Sequence, residues 1–276
     1  MATSARRPRS GARTVVIRGR RLRVVERTGD GSSPPLLLFN GIGSSLELLS
    51  PFVDALPASH GVIRFDVPGV GGSAAPLLPY HMTTFAPLVA RLLDELGHDR
   101  VDVLGISWGG GLAQQFAVQC RSRCRRLVLV ATGTGSLMIP ARPRVLARMA
   151  SSRRHRDPDH AARIAGAIYG GTMRAHPERA VDLLHTGRSA TSLRGYFYQL
   201  AAGSGWTSLP LLPLLRQPTL ILAGDDDPII PIANAKLMRR LLPNARLHLY
   251  HGGHLALVTE ADELAPRVEA FLSEPR

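Results

Sequence analysis

Short apolar runs alternate with longer amphipathic segments along most of the chain. Six of these runs have the composition of strands buried on both faces: PLLLFN, VIRFDV, VDVLGIS, RLVLVAT, PTLILAG and ARLHLYH. Helical periodicity follows at about 82–97, 108–121, 232–242 and 261–273. Two earlier runs, TVVIRG and RLRVVERTG, flank a Gly-Arg turn and predict an antiparallel hairpin. The pattern predicts an α/β fold with a mostly parallel eight-stranded sheet flanked by helices.

The alternation stops between about Gly133 and Pro213, where no strand-like run occurs. Four segments in this stretch suit helices: 143–151, 158–169, 177–187 and 192–202. An insertion after the sixth strand lies over the carboxyl ends of the strands, where open α/β sheets bind ligands. We therefore expect a core of residues 14–133 and 214–276, a helical cap at 134–213 that roofs the substrate pocket, and a disordered basic leader at 1–13.

The composition favours a globular protein, with 45% hydrophobic and 20% charged residues among 276. No run approaches the roughly 18 apolar residues of a membrane span, and the N-terminus lacks the apolar core of a signal peptide. The default expectation is thus a cytoplasmic protein. Two cysteines, Cys120 and Cys124, have no partners at metal-ligand spacing and are interpreted as free thiols.

The formal net charge is +13, and nearly all of the positive charge is arginine, since Lys236 is the one lysine. The arginines concentrate in the first 27 residues and again from Arg142 to Arg163. Such segments suit either a solvated surface or contact with an anionic surface. Nucleic acid is disfavoured as the partner, because no aromatic interleaving or nucleic-acid motif accompanies the charge.

The sequence Gly105-Ile106-Ser107-Trp108-Gly109 matches the pattern GxSxG between a predicted strand and a predicted helix. In that context the serine occupies a strained turn, its hydroxyl projects above the sheet, and the glycines let strand and helix approach closely. A glycine-rich turn with an incidental serine is the alternative. The context favours Ser107 as a nucleophile.

A serine nucleophile needs a base, and an acid followed by a histidine is expected downstream. The strand PTLILAG ends in Asp225-Asp226-Asp227, and the next strand is followed by His251-Gly252-Gly253-His254. We select Asp227 and His254, with Asp225 and Asp226 as turn or capping residues. His248 and His251 are weaker candidates for the base.

The tetrahedral oxyanion of acyl transfer needs backbone donors that are already in place. The amide of Trp108, directly after the nucleophile, is one expected donor, and the amide of Ile42 in Asn40-Gly41-Ile42-Gly43 is the other. A plain turn between strand and helix is the alternative for this loop. Asn40 is expected to order the loop rather than transfer protons.

Six segments together resemble the intracellular depolymerases of medium-chain-length poly(3-hydroxyalkanoates), within the α/β-hydrolase superfamily. They are FNGIGSSLELLSPFVDAL, FDVPGVGGS, GISWGGGLAQQFA, GWTS, QPTLILAGDDDPIIP and GGHL. The resemblance runs from about Leu36 to Ser273 and implies the α/β-hydrolase fold. It further implies ester hydrolysis through an acyl-enzyme, with Ser107 as nucleophile, His254 as base and acid, and Asp227 fixing its tautomer. It implies no metal or cofactor, a polyester or small ester as substrate, and a cytoplasmic location in which association with storage granules is one expected contact.

Two other classes of function remain open. Carbon–carbon bond hydrolases that act on meta-cleavage products use the same triad beneath helical caps, and small-molecule carboxylesterases do as well. A non-catalytic binding or granule-structural protein that kept the fold is the second class. The complete set of Ser107, Asp227 and His254 argues against it.

Overall fold

The computed structural model describes residues 11–185 and 191–275, and its centre is one eight-stranded sheet. The strands are β1 (Arg13–Ile17), β2 (Arg20–Arg27), β3 (Leu36–Phe39), β4 (Val62–Phe65), β5 (Val101–Ile106), β6 (Cys124–Val130), β7 (Thr219–Gly224) and β8 (Ala245–Tyr250). Their order across the sheet is β1-β2-β4-β3-β5-β6-β7-β8. Strand β2 pairs antiparallel with β1 and β4, and every other pairing is parallel. The predicted mostly parallel eight-stranded sheet is confirmed.

The central strands are apolar on both faces because helices cover both sides of the sheet. In β3, Leu37 and Phe39 pack into one core while Leu36 and Leu38 pack into the other. Strand β6 alternates in the same way. Consecutive side chains of a strand point to opposite faces, so a continuous apolar run is what a doubly covered strand requires.

Eleven α-helices lie in the described ranges. They are α1 (Ser50–Ala55), α2 (Met82–Leu96), α3 (Trp108–Gln119), α4 (Pro143–Ala150), α5 (Pro158–Tyr169), α6 (Thr172–Ala175), α7 (Arg179–His185), α8 (Leu193–Gly203), α9 (Ile232–Leu241), α10 (Ala256–Thr259) and α11 (Ala261–Ser273). Helices α2, α3 and α9 contribute to the core on one face, and α1, α10 and α11 to the core on the other.

Helices α4 to α8 all lie between β6 and β7, in the stretch expected to form a cap. Several of them share a third apolar cluster, in which Ile164, Ile168 and Met173 are grouped with Ile229 and Leu255 of the strand-end loops. A single bridge pairs Gly135 with Thr207, and so joins the two ends of the insertion. The division into core and cap at 134 and 213 stays a prediction.

Most of the predicted leader lies outside the described residues. Strand β1 begins at Arg13, the last residue of that leader, and Arg13 pairs with Glu26 on β2. Cys120 and Cys124 are both free thiols. Within the described residues, no helix is both long and apolar enough to cross a membrane.

Candidate active site

Ser107 occupies a sharp turn between β5 and α3. Its φ of 55° and ψ of −121° are unusual for a residue with a side chain. A Cβ at Gly105 would lie 2.3 Å from the carbonyl oxygen of Gly109, and a Cβ at Gly109 would lie 2.2 Å from that of Phe39. Both glycines are therefore required by close backbone contact, as the GxSxG pattern predicts.

Asp227 and His254 form a buried pair at the ends of β7 and β8. The Nδ1 atom of His254 lies 2.8 Å from Oδ2 of Asp227, and the two side chains are 5% and 2% exposed. The other oxygen, Oδ1, accepts hydrogen bonds from the backbone amides of Ile229 and Ile230 at 2.8 and 3.0 Å. These hydrogen bonds hold the Asp227 carboxylate in one orientation. Because Asp227 occupies Nδ1 of His254, Nε2 is the ring nitrogen that is available to a reactant.

The two neighbouring aspartates have other partners. Asp225 lies 2.8 Å from Nδ1 of His251, a side chain that is 95% exposed. Asp226 accepts from Arg174 and from the backbone amide of Gly171, both at 2.7 Å. These contacts lower the pKa of each carboxyl, chiefly through the hydrogen bond from His251 to Asp225 and from Arg174 to Asp226. Of the three aspartates, Asp227 pairs with His254.

The inserted helices hold His254 in place. Its backbone amide donates to the carbonyl oxygen of Tyr169 at 2.7 Å, and its ring stacks on that of Tyr169 with centres 6.4 Å apart. A Cβ at Gly253 would lie 2.2 Å from the same carbonyl oxygen. The glycines before His254 thus permit the loop to pass directly under the end of α5.

Ser107 and His254 line one small cavity of about 30 Å³ together with Gly41 and Ile42. The loop that carries Ile42 is ordered by Asn40, whose side chain accepts from the amide of Gly41 and donates to the carbonyl of Ser45. The Trp108 amide belongs to the first turn of α3, where N–H groups have no intrahelical acceptor. The predicted site residues Ser107, Asp227, His254, Ile42 and Trp108 are thus gathered at the carboxyl ends of β3, β5, β7 and β8.

A second, larger cavity of about 400 Å³ is also lined by Ser107. Its lining is mostly apolar and includes Met82, Met138, Trp108, Leu200 and Trp206. Trp206 of the GWTS segment donates through Nε1 to Oε1 of Gln115 on α3 at 2.6 Å. That hydrogen bond fixes the indole as a wall of the cavity.

Sequence reasoning missed several polar residues of the insertion that border the site. Arg154 lies in a segment interpreted as a charged surface, yet it is 1% exposed and packs 5.4 Å from the ring centre of Tyr196. It lines the small cavity with His155. Gln199 on α8 is fully buried and lines the large cavity. For Gln199 a signal exists, because Gly195, Tyr196, Gln199 and Ala202 follow the spacing of one buried helix face.

Residues 34–261 match the family model of the alpha/beta hydrolase fold. A poly(3-hydroxyalkanoate) depolymerase of Ectopseudomonas oleovorans is 49% identical over 264 residues, which cover 96% of this chain and 93% of that protein. A 2-hydroxy-6-oxononadienedioate/2-hydroxy-6-oxononatrienedioate hydrolase of Pseudomonas sp is 26% identical, over 90% of this chain and 91% of that protein.

Among solved structures, a hydrolase from Pseudomonas aeruginosa PA01 superposes with a TM-score of 0.80 at 26% identity. The superposition covers 95% of this chain and 98% of that one. The chain therefore belongs to the alpha/beta hydrolase fold family and, within it, to the carboxylic ester hydrolases related to poly(3-hydroxyalkanoate) depolymerase.

Proposed function

We propose that this ester hydrolase cleaves the backbone esters of poly(3-hydroxyalkanoate), with medium-chain-length monomers as the preferred units. The observation that supports this chemistry is the buried Asp227–His254 pair, whose histidine lines one small cavity together with Ser107. The 49% identity to a depolymerase over nearly the whole chain supports the substrate class.

The reaction takes place in two halves. Ser107 Oγ forms a bond to the ester carbonyl carbon while Nε2 of His254 takes the hydroxyl proton. The tetrahedral intermediate then breaks its bond to the alkoxy oxygen, which receives that proton and leaves as the free hydroxyl end of the shortened polymer. Water, deprotonated by His254, then attacks the acyl carbon, the bond from that carbon to Ser107 Oγ breaks, and Oγ receives the proton from His254 as the carboxylic acid leaves.

Asp227 assists by accepting the Nδ1 proton of His254 in a hydrogen bond, which fixes the tautomer and stabilises the imidazolium. The amides of Ile42 and Trp108 stabilise the oxyanion. Removal of one such donor typically reduces kcat by about 10²- to 10³-fold. The same residues serve both halves of the reaction.

The apolar cavity beside Ser107 suits a medium-length alkyl side chain. Its methionines and tryptophans offer flexible and flat apolar walls to a saturated chain, and a volume of about 400 Å³ lies within the range of small-ligand sites. A short polar acyl group would leave most of these walls exposed to water.

The outer surface of the insertion suits contact with the granule on which such a polymer is stored. Leu137, Ile139 and Leu146 are 60%, 42% and 42% exposed. Arg142 and Arg144 are exposed on the same stretch of chain. Apolar groups bordered by cations match an apolar polymer with an anionic coat.

A serine-reactive alkyl phosphonate tests the chemistry directly. We expect one equivalent of phosphonate on Ser107 by peptide mass spectrometry, together with loss of octanoate ester hydrolysis. Absence of labelling in folded protein would contradict the proposed mechanism.

A second assay tests the class of bond that is cleaved. A dienol substrate of the carbon–carbon hydrolases is assayed in parallel, and its cleavage without ester cleavage would favour that class instead.

A further inference from the structure

Gln199 connects helix α8 to both loops that flank Ser107. Its side-chain Oε1 accepts the backbone N–H of Gly43, next to Ile42, at 2.8 Å. Its backbone carbonyl accepts the indole N–H of Trp108, also at 2.8 Å. One residue of the insertion therefore contacts both segments that carry the expected oxyanion donors.

The side-chain amide has only one orientation compatible with these contacts. Because the Gly43 N–H is a donor, the atom that faces it must be the oxygen, and the NH₂ group occupies the other position. This Nε2 atom is buried and has no hydrogen-bond partner among the described residues. A buried amide donor without an acceptor is costly, by about 1–3 kcal/mol, and in native proteins calls for an explanation.

The position of Gln199 is rigidly determined. Thr191, just before α8, donates its hydroxyl to the carbonyl of Gly43 at 2.6 Å, and Ser192 donates to the carbonyl of Gly69 at 3.0 Å. A Cβ at Gly195 would lie 2.0 Å from the same Gly69 carbonyl, so the helix backbone rests directly on that loop. The amide is thus held in advance of any ligand.

Gln199 borders the large apolar cavity together with Ser107. The hydroxyls of Thr132 and Ser136, which also line it, donate to the backbone carbonyls of Ser107 and Trp206. Gln199 therefore brings an amide donor that has no partner among the described residues to the wall of the cavity that Ser107 also lines.

We infer that Gln199 Nε2 donates a hydrogen bond to the oxygen at C3 of the acyl chain, and so selects 3-oxygenated acyl esters over plain fatty acyl esters. This inference rests on the proposed function. The C3 oxygen is two carbons from the carbonyl carbon that Ser107 attacks, and it is present in every unit of a poly(3-hydroxyalkanoate). A plain fatty acyl chain would leave the buried donor unsatisfied, which is a strong basis for discrimination.

The wild type alone provides a first test. Aryl esters of 3-hydroxyoctanoate, 3-methoxyoctanoate and octanoate are compared by kcat/KM. We expect the first two to exceed octanoate by about tenfold, the effect of one hydrogen bond to a buried donor. The methoxy group accepts but cannot donate, so its equivalence to the hydroxyl identifies the enzyme group as the donor.

Two variants then separate recognition of the substrate from support of the loop. Gln199→Met removes both acceptor and donor, whereas Gln199→Glu, assayed at alkaline pH where its carboxyl is ionised, keeps an oxygen for the Gly43 N–H and removes the donor. We expect the 3-hydroxyoctanoate to octanoate ratio to fall to near one in both, with octanoate hydrolysis better preserved in Gln199→Glu. Phe197→Leu, at an exposed position of the same helix that does not line the cavity, is the matched control and should keep the wild-type ratio.

A wild-type ratio near one, or a ratio that persists in both folded variants, would overturn the inference while ester hydrolysis and the proposed function stand. A wild type that cleaves none of the three esters would remove the proposed function and the inference with it.

Discussion

Three consecutive aspartates at the end of β7 have identical side chains and different environments. Asp225 faces an exposed histidine, Asp226 faces an arginine, and Asp227 is buried against His254. The chain therefore carries two Asp–His pairs of equal 2.8 Å length, of which one is open to solvent and the other adjoins Ser107. Burial beside the nucleophile, rather than the pairing itself, distinguishes the pair proposed to act in catalysis.

The different environments of Asp227 and Asp225 predict different effects of the same aspartate-to-asparagine substitution. Asp227→Asn should reduce kcat for a small ester by about 10⁴-fold, because the amide no longer holds the His254 tautomer or stabilises the imidazolium. Asp225→Asn should leave kcat within twofold, since His251 is exposed and neither residue lines the cavity of Ser107. Steady-state assays on both variants, with circular dichroism to verify folding, make the comparison. Equal losses in the two variants would contradict the assignment.

At the residue scale, the sequence predicts which candidate groups lie at the strand ends. Ser107 directly follows β5, and Asp227 and His254 come within four residues of the ends of β7 and β8, so the strand pattern locates all three at the carboxyl edge of the sheet. Gln199 and Arg154 were not found, because their distance from Ser107 depends on how the inserted helices pack and not on any strand end. The spacing of α8 indicates that Gln199 is buried but not which loop it contacts.

At the element scale, helix α8 lines the large cavity with Gln199, Leu200 and its last residue, Gly203. Gly203 lines the cavity, and a Cβ placed there would make ordinary contact with the Trp108 indole at 3.6 to 3.7 Å. A larger side chain at this position therefore extends into the space assigned to the acyl chain without a backbone clash.

Gly203→Leu should accordingly narrow the range of accepted acyl chains. We expect kcat/KM for an octanoate ester to fall at least tenfold, while the value for an acetate ester changes by less than threefold. The reason is steric, since added volume in a packed apolar site typically costs about 1–3 kcal/mol. A series of ester chain lengths measures the effect, and an equal loss across the series would argue against this cavity as the acyl site.

The sequence predicted helices and strands well in segments where the apolar residues follow either the helical or the strand period clearly. The helices expected at 82–97, 232–242 and 261–273 and the opening hairpin are present, with ends within one or two residues. The exchange of β3 and β4 in the sheet order was not predicted, because both runs are equally apolar and pattern alone does not determine which neighbour each strand pairs with. Short helices such as α6 and α10 were also missed, since four residues are too few to show a helical period.

At the scale of the whole molecule, the excess of positive charge has no role in the proposed catalytic mechanism. Residues 1–10 contain three arginines and no acidic residue, and further arginines are exposed on the inserted helices. A polymer granule with an anionic coat would attract these groups, by roughly 1 kcal/mol for each arginine near the surface. Attraction of this kind is screened by salt.

Deletion of residues 1–10 should weaken binding to anionic phospholipid vesicles by more than tenfold at low salt, and by less at high salt. The deletion stops before Arg13 because that residue begins β1 and pairs with Glu26. Turnover of a small ester should be unchanged, since the segment precedes the sheet. Vesicle co-sedimentation across a salt series measures binding, and identical binding of the two proteins would mean that these arginines serve only as solvated surface.

The most direct test of the central claim is the clearing of a medium-chain-length poly(3-hydroxyalkanoate) emulsion by the wild type and by Ser107→Ala. The variant lacks only the nucleophilic hydroxyl, so it should fold normally and lose at least about 10⁴-fold in activity. We predict that the wild type clears the emulsion with release of 3-hydroxyalkanoic acids or short oligomers, and that the variant leaves it turbid. An emulsion that stays turbid while the wild type cleaves a small octanoate ester would contradict the polymer assignment, and clearing by Ser107→Ala would contradict the mechanism.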